Sequence, residues 1–479
     1  MNKLSTGVAG LDEILYDGLI EQHSYLVRGG PGTGKTTLGF HFLNAGASKQ
    51  EPCLFITLGE TEERLKENAA KLGISLEHVN FLDLSPKEEF YAQTQTYDIF
   101  HAAEVETTPM AKELVATVEH LKPRRVFMDS LSMLQYLTAD PYMFRKQSLA
   151  FMKFLNQQGA TFLFTTEPSL KMPDDEFQFW ADGVVNLESQ QGNWFVNVIK
   201  YRGSAFRKSR HAFRLTDHGM EVYPMLIAQE HQTEFSNEMI SAGIPEIDEL
   251  LSGGVERGTV TILTGPSGVG KTTFGLMFMK EAAGRGERSV VFSFEESRAT
   301  LLKRSEGVNI PISKMVERGT LDVIAVEPLR YSPDEFALLV RREVEQHKAQ
   351  IVMIDSISGL RISVAAAELN QRLHALTAYL RNMGVTVFLI NEIENVTGEF
   401  KPTDLNISYL ADNIIFLRYI EFEGELRKTI GVLKKRLSDF EKTIRNFDIT
   451  RYGIKVGEPL RDLTGILTGR PEARRKKED

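Results

Sequence analysis

Short apolar runs alternate with amphipathic stretches along the first half of the chain, and this alternation predicts an α/β fold. The predicted strands are Ser24–Arg28, Cys53–Leu58, Val79–Leu84, Arg125–Asp129 and Ala160–Thr165. The predicted helices are Thr36–Ala47, Glu62–Leu72, Pro109–Leu121 and Pro141–Gln158. Strands that alternate with helices in this way form a mostly parallel sheet whose faces the helices cover.

The pattern changes near the end of this half, where β-like segments follow one another with turn residues between them. These segments are Val184–Glu188, Asn193–Lys200 and Arg210–Leu215, which predict antiparallel strands at the end of the domain. The second half repeats the whole order around helix Thr272–Ala283. Its predicted strands are Thr259–Thr264, Ser289–Phe294, Leu321–Val326, Ile351–Asp355, Val385–Asn391, Asn413–Tyr419, Thr429–Lys435 and Ile444–Thr450.

The two halves also share a register, because the segment Ser5–Leu15 resembles Ser241–Leu251. One offset of 236 residues (271 − 35) relates Lys271 to Lys35 and the second segment to the first. A repeat this long indicates tandem domains and not a solenoid. We therefore predict domains at 1–228 and 239–467, a polar linker at 229–238, and a charged, disordered tail at 468–479.

Each half contains a glycine-rich loop of the form G-x-x-x-x-G-K-[ST] between an apolar strand and a helix. Glycines let the backbone N–H groups of such a loop approach the phosphates of a nucleotide at the start of the helix. Lys35 and Lys271 would reach the β- and γ-phosphates, and Thr36 and Thr272 would hold Mg²⁺. The candidate ATP-binding residues are Gly29, Gly32, Thr33, Gly34, Lys35, Thr36 and Thr37, and in the second copy Gly265, Gly268, Val269, Gly270, Lys271, Thr272 and Thr273.

Two further acidic positions complete the predicted metal sites. Apolar strands end in Asp129 and in Asp355, each followed by serine. A carboxylate at the end of a buried strand beside a phosphate-binding loop can hold Mg²⁺ or its water. The pattern is weak alone and strong beside the loop, so we predict that Asp129 and Asp355 are metal-binding residues.

Hydrolysis also requires a carboxylate that orients or deprotonates the attacking water. Glu295 and Glu296 follow the strand after the second glycine-rich loop, and Glu60 has the place of Glu296 in the first half. Gly59 stands where Glu295 stands in the second half. The alternative is that these acids favour helix N-termini without a catalytic role.

Composition restricts the classes of function. The chain is 42% hydrophobic and 25% charged, which is typical of a globular protein without a membrane span. Its net charge of −9 argues against broad nucleic-acid binding. Cys53 is the single cysteine, so an intrachain disulfide and a cysteine-based zinc site are excluded. The N-terminus lacks the apolar stretch of a signal peptide, and these features together favour a cytoplasmic protein.

The double glycine-rich loop, the Glu-Glu-Ser run at Glu295 and the Thr-Asp-His-Gly run at Thr216 resemble the KaiC family of ATPases and autokinases. The resemblance extends from Leu4 to about Leu467. It implies two tandem RecA-like domains and a two-tier homohexamer that binds ATP and Mg²⁺ between neighbouring subunits. It also implies regulatory protein partners, which the sequence does not identify.

The resemblance assigns roles to individual residues. It makes Glu295 the general base of the second domain, with Glu296 beside it, and it matches four cations that act on a neighbour's ATP. These cations are Lys200 and Arg202 in the first domain, and Lys434 and Arg436 in the second. Such side chains at alternate strand positions point the same way and suit a γ-phosphate. Without the resemblance, they are typical of solvated charges on a strand.

The sequence departs from the family pattern at three places. Gly59 replaces the first glutamate of the pair in the first domain, which argues against fast hydrolysis there. Ser408-Tyr409 replaces the adjacent Ser-Thr pair of phosphate acceptors, so we predict Ser408 as the one acceptor. The chain also continues for few residues after Gly469, so the resemblance does not imply the clock role of the best-known members.

Two other classes of function remain open from the residues alone. A DNA-translocating RecA-type motor would need basic loops facing a pore, and the loop Lys171–Phe177 is acidic overall. A nucleotide-gated scaffold would bind ATP in the first domain mainly to assemble, which Gly59 favours. The main hypothesis is an ATP-hydrolysing hexamer that autophosphorylates and acts as a regulatory switch.

Overall fold

The structure, a computed structural model, describes residues 2–84, 109–133, 141–166, 175–190, 192–362, 366–393, 407–468 and 471–473. Residues 171–174 of the acidic loop and residues 469–470 and 474–479 of the expected tail lie outside this part. Contacts divide the chain into two units, Met1–Met225 and Leu226–Asp479. The predicted two-domain α/β architecture is confirmed.

The first unit is built on a sheet that has nine strands within the described residues. The strands of the unit are β1 (Lys3–Leu4), β2 (Leu19–Ile20), β3 (Ser24–Gly29), β4 (Cys53–Thr57), β5 (Val79–Asp83), β6 (Arg125–Asp129), β7 (Thr161–Thr166), β8 (Gly183–Gln190), β9 (Asn193–Tyr201), β10 (Arg210–Thr216) and β11 (Gly219–Tyr223). The helices are α1 (Ala9–Ile14), α2 (Lys35–Ala47), α3 (Glu62–Lys71), α4 (Pro109–Leu121), α5 (Pro141–Gln157) and α6 (Asp175–Trp180).

The order of strands in this sheet is β11-β10-β9-β8-β3-β7-β6-β4-β5. Strands β5 to β8 in this order run parallel, and β8 to β11 are antiparallel neighbours. The central strands are apolar along their length because helices cover both faces. Phe55 and Phe127 point to one face, and Ile56 and Met128 point to the other, so one strand contributes to two cores.

The second unit repeats the plan in a second nine-stranded sheet, again within the described residues. Its strands are β12 (Met239–Ile240), β13 (Val255–Glu256), β14 (Val260–Gly265), β15 (Ser289–Ser293), β16 (Leu321–Ala325), β17 (Ile351–Asp355), β18 (Thr386–Glu392), β19 (Asn413–Phe422), β20 (Glu425–Lys435), β21 (Arg445–Thr450), β22 (Gly453–Pro459), β23 (Leu463–Thr464) and β24 (Glu472–Ala473). Its helices are α7 (Pro245–Leu250), α8 (Lys271–Gly284), α9 (Arg298–Glu306), α10 (Ile312–Glu317), α11 (Pro333–Glu345), α12 (Ile357–Ile362) and α13 (Ala366–Asn382).

The sequence pattern did not predict the last antiparallel strand of each sheet, β11 and β22, the two-residue strands, or the short helices α1, α6, α7, α10 and α12. Strands β11 and β22 each follow a tight turn from an antiparallel partner, β10 or β21, so the sequence pattern did not separate them from that turn. The predicted boundaries of β3 to β7 and of β14 to β18 differ from the observed ones by at most one residue at either end, and those of β6 and β17 coincide. The order β16-β15-β17-β18-β14-β19-β20-β21-β22 matches that of the first sheet.

The segment expected as a linker, 229–238, makes its contacts with the second unit. A 3₁₀ turn at Ala228–Glu230 overlaps its start, and the carbonyl of Ala228 accepts a hydrogen bond from Asn382 Nδ2 at 2.8 Å. The ring of His231 packs edge-on against Tyr379, with centroids 5.1 Å apart. Tyr379 belongs to α13, so the segment 229–238 packs against the folded second unit even though most of its residues are polar.

Two residues of the expected tail, Glu472 and Ala473, pair with Leu463 and Thr464 as a short antiparallel ladder.

Within the described residues, no helix combines the length and apolar character that crossing a membrane requires.

The helix that follows the first glycine-rich loop contains a half-buried histidine, His41, that bonds the backbone of strand β11. His41 Nε2 accepts a hydrogen bond from the backbone N–H of Met220 at 2.9 Å. Burial lowers the pKa of His41 below its ordinary value, because the charged ring loses solvation. The unfolded chain therefore binds this proton more tightly, so stability that is present above the ordinary pKa is lost as pH falls.

We expect the first unit to unfold at lower temperature as pH is reduced from 7.5 to 5.5, and His41→Met to flatten this dependence. The second unit has Met277 at this position. His41→Met should also cost about 1–3 kcal/mol at pH 7.5, because the N–H of Met220 loses its acceptor. Fluorescence is suited to this measurement, since both tryptophans, Trp180 and Trp194, lie in the first unit. An equal pH dependence in the two proteins would exclude His41 as the cause.

Candidate active site

Both glycine-rich loops connect a buried parallel strand to a long helix. In the first unit the loop joins β3 to α2, and in the second it joins β14 to α8. Gly34 and Gly270 adopt φ angles of 87° and 117° at the helix N-cap. A Cβ atom there would lie 2.7 Å from Leu215 or 2.3 Å from Ile449. A side chain therefore does not fit at Gly34 or at Gly270. Each helix begins after a glycine in the left-handed conformation.

The two lysines are folded back onto their own loops. Lys35 Nζ donates to the carbonyls of Gly29 and Gly30 at 2.9 and 3.1 Å. Lys271 Nζ donates to the carbonyls of Gly265 and Pro266 at 2.8 Å each. Burial lowers the pKa of Lys271, and the carboxylates nearby oppose that shift. Each ammonium group therefore lies inside the loop, where it can exchange carbonyl partners for phosphate oxygens.

The threonine after each lysine meets the predicted strand-end aspartate. Thr36 Oγ1 donates to Asp129 Oδ2 at 2.5 Å, and Thr272 Oγ1 donates to Asp355 Oδ2 at 2.7 Å. Burial raises the pKa of Asp355 to about 6, the hydrogen bond from Thr272 opposes this shift, and the charge of Glu295 adds to it.

These oxygen atoms fit a magnesium ion. Hydroxyl and carboxylate oxygens are the ligands that Mg²⁺ prefers, and the rest of its shell comes from phosphate and water. The first-unit cleft, of about 620 Å³, is lined by Gly32, Thr33, Gly34, Lys35, Thr36, Thr37 and Asp129, among others. In the second loop, the side chains of Val269 and Thr273 are buried, so they pack against the protein interior. Their backbone N–H groups are the part that could contact a phosphate.

The adjacent glutamates of the second unit point to different partners. Glu295 Oε1 accepts a short hydrogen bond from Ser356 Oγ, the residue next to Asp355. Glu296 instead forms an ion pair with Arg304 at 2.8 Å. The structure therefore brings Glu295 to the strand-end aspartate and turns Glu296 toward helix α9.

The corresponding part of the first unit has no carboxylate at position 59. No described atom lies within 4 Å of the place that a Cβ at Gly59 would take. Glu60 forms a surface ion pair with Arg64 at 3.4 Å. Ser130, the counterpart of Ser356, shares a hydrogen bond with Ser132 at 3.1 Å.

The cations of the first unit bind carbonyl groups of the same chain. Lys200 Nζ donates to the carbonyls of Gln178, Phe179 and Ala181 at 2.6–2.8 Å. Arg202 donates to the carbonyl of Phe179 at 3.2 Å. Burial and the charge of Arg202 lower the pKa of Lys200. Lys200 therefore has three carbonyl partners at the end of α6, which a charge surrounded by water alone would not have.

The second unit repeats this arrangement around the predicted phosphate acceptor. Lys434 Nζ donates to the carbonyls of Ser408 and Ala411 at 3.0 and 2.6 Å, and Arg436 donates to that of Tyr409 at 3.3 Å. Burial lowers the pKa of Lys434. Ser408 is half-buried in the 3₁₀ turn Ile407–Tyr409. The two cations and the acceptor turn therefore form one connected cluster.

A β-bulge precedes each lysine of these clusters. The ladder between β8 and β9 shifts register between Val184 and Val185, and the ladder between β19 and β20 shifts between Ile414 and Ile415. A bulge re-aims the side chains that follow it. The bulges therefore help to direct Lys200 to the carbonyl groups at the end of α6 and Lys434 to the turn that contains Ser408. Strand alternation alone does not predict these directions.

Several polar residues of the two sites were not predicted from the sequence. Thr57 and Ser293 each bond the backbone of the glutamate three residues later, at Glu60 and Glu296. Ser356 and Thr165 hold carboxylates, and Glu392 lies in register with Gly265 and opposes the lowered pKa of Lys271. A hydroxyl at the same place in both halves was the available signal for Thr57 with Ser293 and for Ser130 with Ser356. Thr165 has no such signal, because its counterpart is apolar.

Two stretches of the chain, residues 4–227 and 240–461, match the family model described as ATPase: KaiC. The chain is 29% identical over 488 residues to the circadian clock oscillator protein KaiC of Prochlorococcus marinus strain MIT 9313, covering 98% of this chain and 96% of the relative. It is also 29% identical over 487 residues to the protein of that name from Synechococcus elongatus, covering 98% and 92%. A similar match, 29% over 490 residues, is KaiC 1 of Synechocystis, covering 98% and 92%.

Proposed function

Since the chain belongs to the KaiC family of ATPases, we propose that it is a regulatory ATPase that hydrolyses ATP mainly in its second domain. The observation that carries this proposal is the contact of Glu295 with Ser356 beside Asp355, where the first domain has Gly59. A general base needs a fixed carboxylate near the phosphate-binding loop, and the second domain alone has one at this position.

The proposed reaction is in-line transfer of the γ-phosphoryl group to water. Lys271 leaves its loop carbonyls and binds the phosphates, and Thr272 and Asp355 are the residues that would hold Mg²⁺. Bound Mg²⁺ would neutralise charge on the phosphates and orient them. The oxygen of the water bonds to the γ-phosphorus, and the bond between that phosphorus and ADP breaks. Glu295 accepts the proton that the water loses.

We propose further that six copies form a two-tier ring with ATP between subunits, and that each copy offers its cations to its neighbour's ATP. In support, Lys200 with Arg202 and Lys434 with Arg436 converge in matching clusters in the two domains. The γ-phosphate of a neighbour's ATP would compete with the carbonyl groups for these side chains. Bound ATP would therefore stabilise the contact between subunits, so we expect assembly to depend on nucleotide.

The division of labour predicts different losses for the two loop lysines. We expect Lys271→Ala to abolish most ATP turnover, because the domain with Glu295 no longer binds the phosphates productively. We expect Lys35→Ala mainly to impair assembly, because the first domain holds ATP without hydrolysing it quickly. Phosphate release and native mass with and without ATP measure the two effects. Loss of most turnover in Lys35→Ala while hexamers persist would contradict the assignment.

Ser408 is the proposed acceptor for autophosphorylation. Its hydroxyl oxygen would bond to the γ-phosphorus of a neighbour's ATP, with the proton passing to that neighbour's Glu295 and ADP leaving. Tyr409 is a poor second acceptor because its hydroxyl lies further from the backbone, so we expect at most one phosphate per chain. Phosphopeptide mapping after incubation with ATP and Mg²⁺ should label wild type, and neither Ser408→Ala nor Glu295→Gln. Equal labelling of Glu295→Gln would exclude the mechanism.

A further inference from the structure

Asp129 in the first site accepts a second hydroxyl hydrogen bond. Thr165 Oγ1 donates to Asp129 Oδ1 at 2.5 Å, while Thr36 Oγ1 donates to the other carboxylate oxygen at 2.5 Å. Thr165 is fully buried on β7, and the register of β7 with β6 sets Phe164 beside Met128. Neighbouring side chains therefore fix both oxygens of this carboxylate.

The second site has an apolar residue at the same place. Strand β18 runs beside β17 with Leu389 opposite Ile354, so Ile390 stands next to Asp355 as Thr165 stands next to Asp129. Isoleucine cannot donate a hydrogen bond, and Ile390 is buried. Within the described residues, the carboxylate of Asp355 therefore accepts one side-chain hydroxyl bond, from Thr272, where that of Asp129 accepts two. The two sites therefore differ in the residue next to the predicted metal-binding aspartate, which is Thr165 in the first and Ile390 in the second.

We propose that Thr165 is a positioning residue for Mg²⁺, and that it makes the first site hold the metal more tightly than the second, where Ile390 removes the donor. Groups that orient a metal-binding carboxylate commonly change metal affinity by about 10–100-fold. The inference rests on the proposed function, because it takes both clefts as Mg²⁺–ATP sites. It also supplies a reason why the first domain would retain nucleotide. The alternative is that Thr165 only satisfies its own buried hydroxyl and contributes to folding.

The test measures metal binding in the full chain with one site weakened at a time. Lys271→Ala isolates the first site, and Mn²⁺ serves as the probe, with free Mn²⁺ followed by electron paramagnetic resonance in the presence of a non-hydrolysable ATP analogue. Three residues at position 165 are compared: threonine, valine and serine. Analogue binding in EDTA is measured in parallel, because a folding defect would weaken it and a positioning defect would not.

We expect Thr165→Val to weaken Mn²⁺ binding by about 10-fold, Thr165→Ser to retain it, and both to bind the analogue normally in EDTA. The reciprocal variant, Ile390→Thr, is compared with Ile390 in the same Lys35→Ala background, where it should tighten Mn²⁺ binding at the second site, a gain that misfolding cannot produce. Unchanged Mn²⁺ affinity in Thr165→Val, or an equal loss of analogue binding in EDTA, would overturn the inference alone. A Lys271→Ala chain that binds no Mn²⁺–analogue with Thr165 intact would overturn the proposed function of the first domain.

Discussion

Replacing Glu295 with glutamine is expected to lower ATP turnover by about 10²–10⁴-fold, the usual contribution of a general base. Glutamine keeps the size of the side chain and can still bond Ser356, but it cannot take a proton from water. Because Gly59 leaves the first domain without a base at this position, that domain should not mask the loss. Steady-state phosphate release measures the effect, and retention of ATP by the variant shows that binding is intact.

Glu296→Gln is the matched control for this experiment. The two glutamates are adjacent, yet the half-exposed side chain of Glu296 is paired with Arg304 on α9, while Glu295 bonds Ser356. An exposed ion pair contributes about 0–1 kcal/mol, so its loss should leave both folding and turnover close to those of wild type. Equal losses in the two variants would show that the catalytic proton does not pass to Glu295.

Introducing the missing carboxylate, Gly59→Glu, should raise hydrolysis in the first domain by about 10²–10⁴-fold. The backbone at Gly59 is outside the left-handed region, and no described atom lies within 4 Å of a Cβ there, so a side chain fits. Ser130 is placed after Asp129 as Ser356 is after Asp355, and it can exchange its bond to Ser132 for the new carboxylate.

The measurement is made with Glu295→Gln present, so that the second domain contributes little turnover. Gly59→Gln in the same background is the control, because it adds the same volume without a base. If the glutamate and glutamine variants hydrolyse ATP at one rate while both retain nucleotide, a carboxylate at position 59 is not what the first domain lacks.

The sequence by itself determined the architecture and most of the phosphate-binding machinery. Strands such as Arg125–Asp129 coincide with their predicted bounds because a fully buried parallel strand is apolar along its length. The glycine-rich loops were predicted because their function requires glycine at fixed spacing, and Gly34 shows why: a Cβ there would meet Leu215. Such requirements are local, so they are visible in a linear sequence.

The tertiary structure decided which similar residues face the site. Glu295 and Glu296 look alike in sequence, but only Glu295 meets Ser356, which is 61 residues away. Thr165 meets Asp129 across 36 residues because β7 lies beside β6 in the sheet, and a β-bulge contributes to the direction in which Lys200 points. Strand order and register determine these contacts, and both follow from packing between distant segments. The physical reason is that successive side chains on a strand point in opposite directions, so a change of one residue in register reverses what each carboxylate meets.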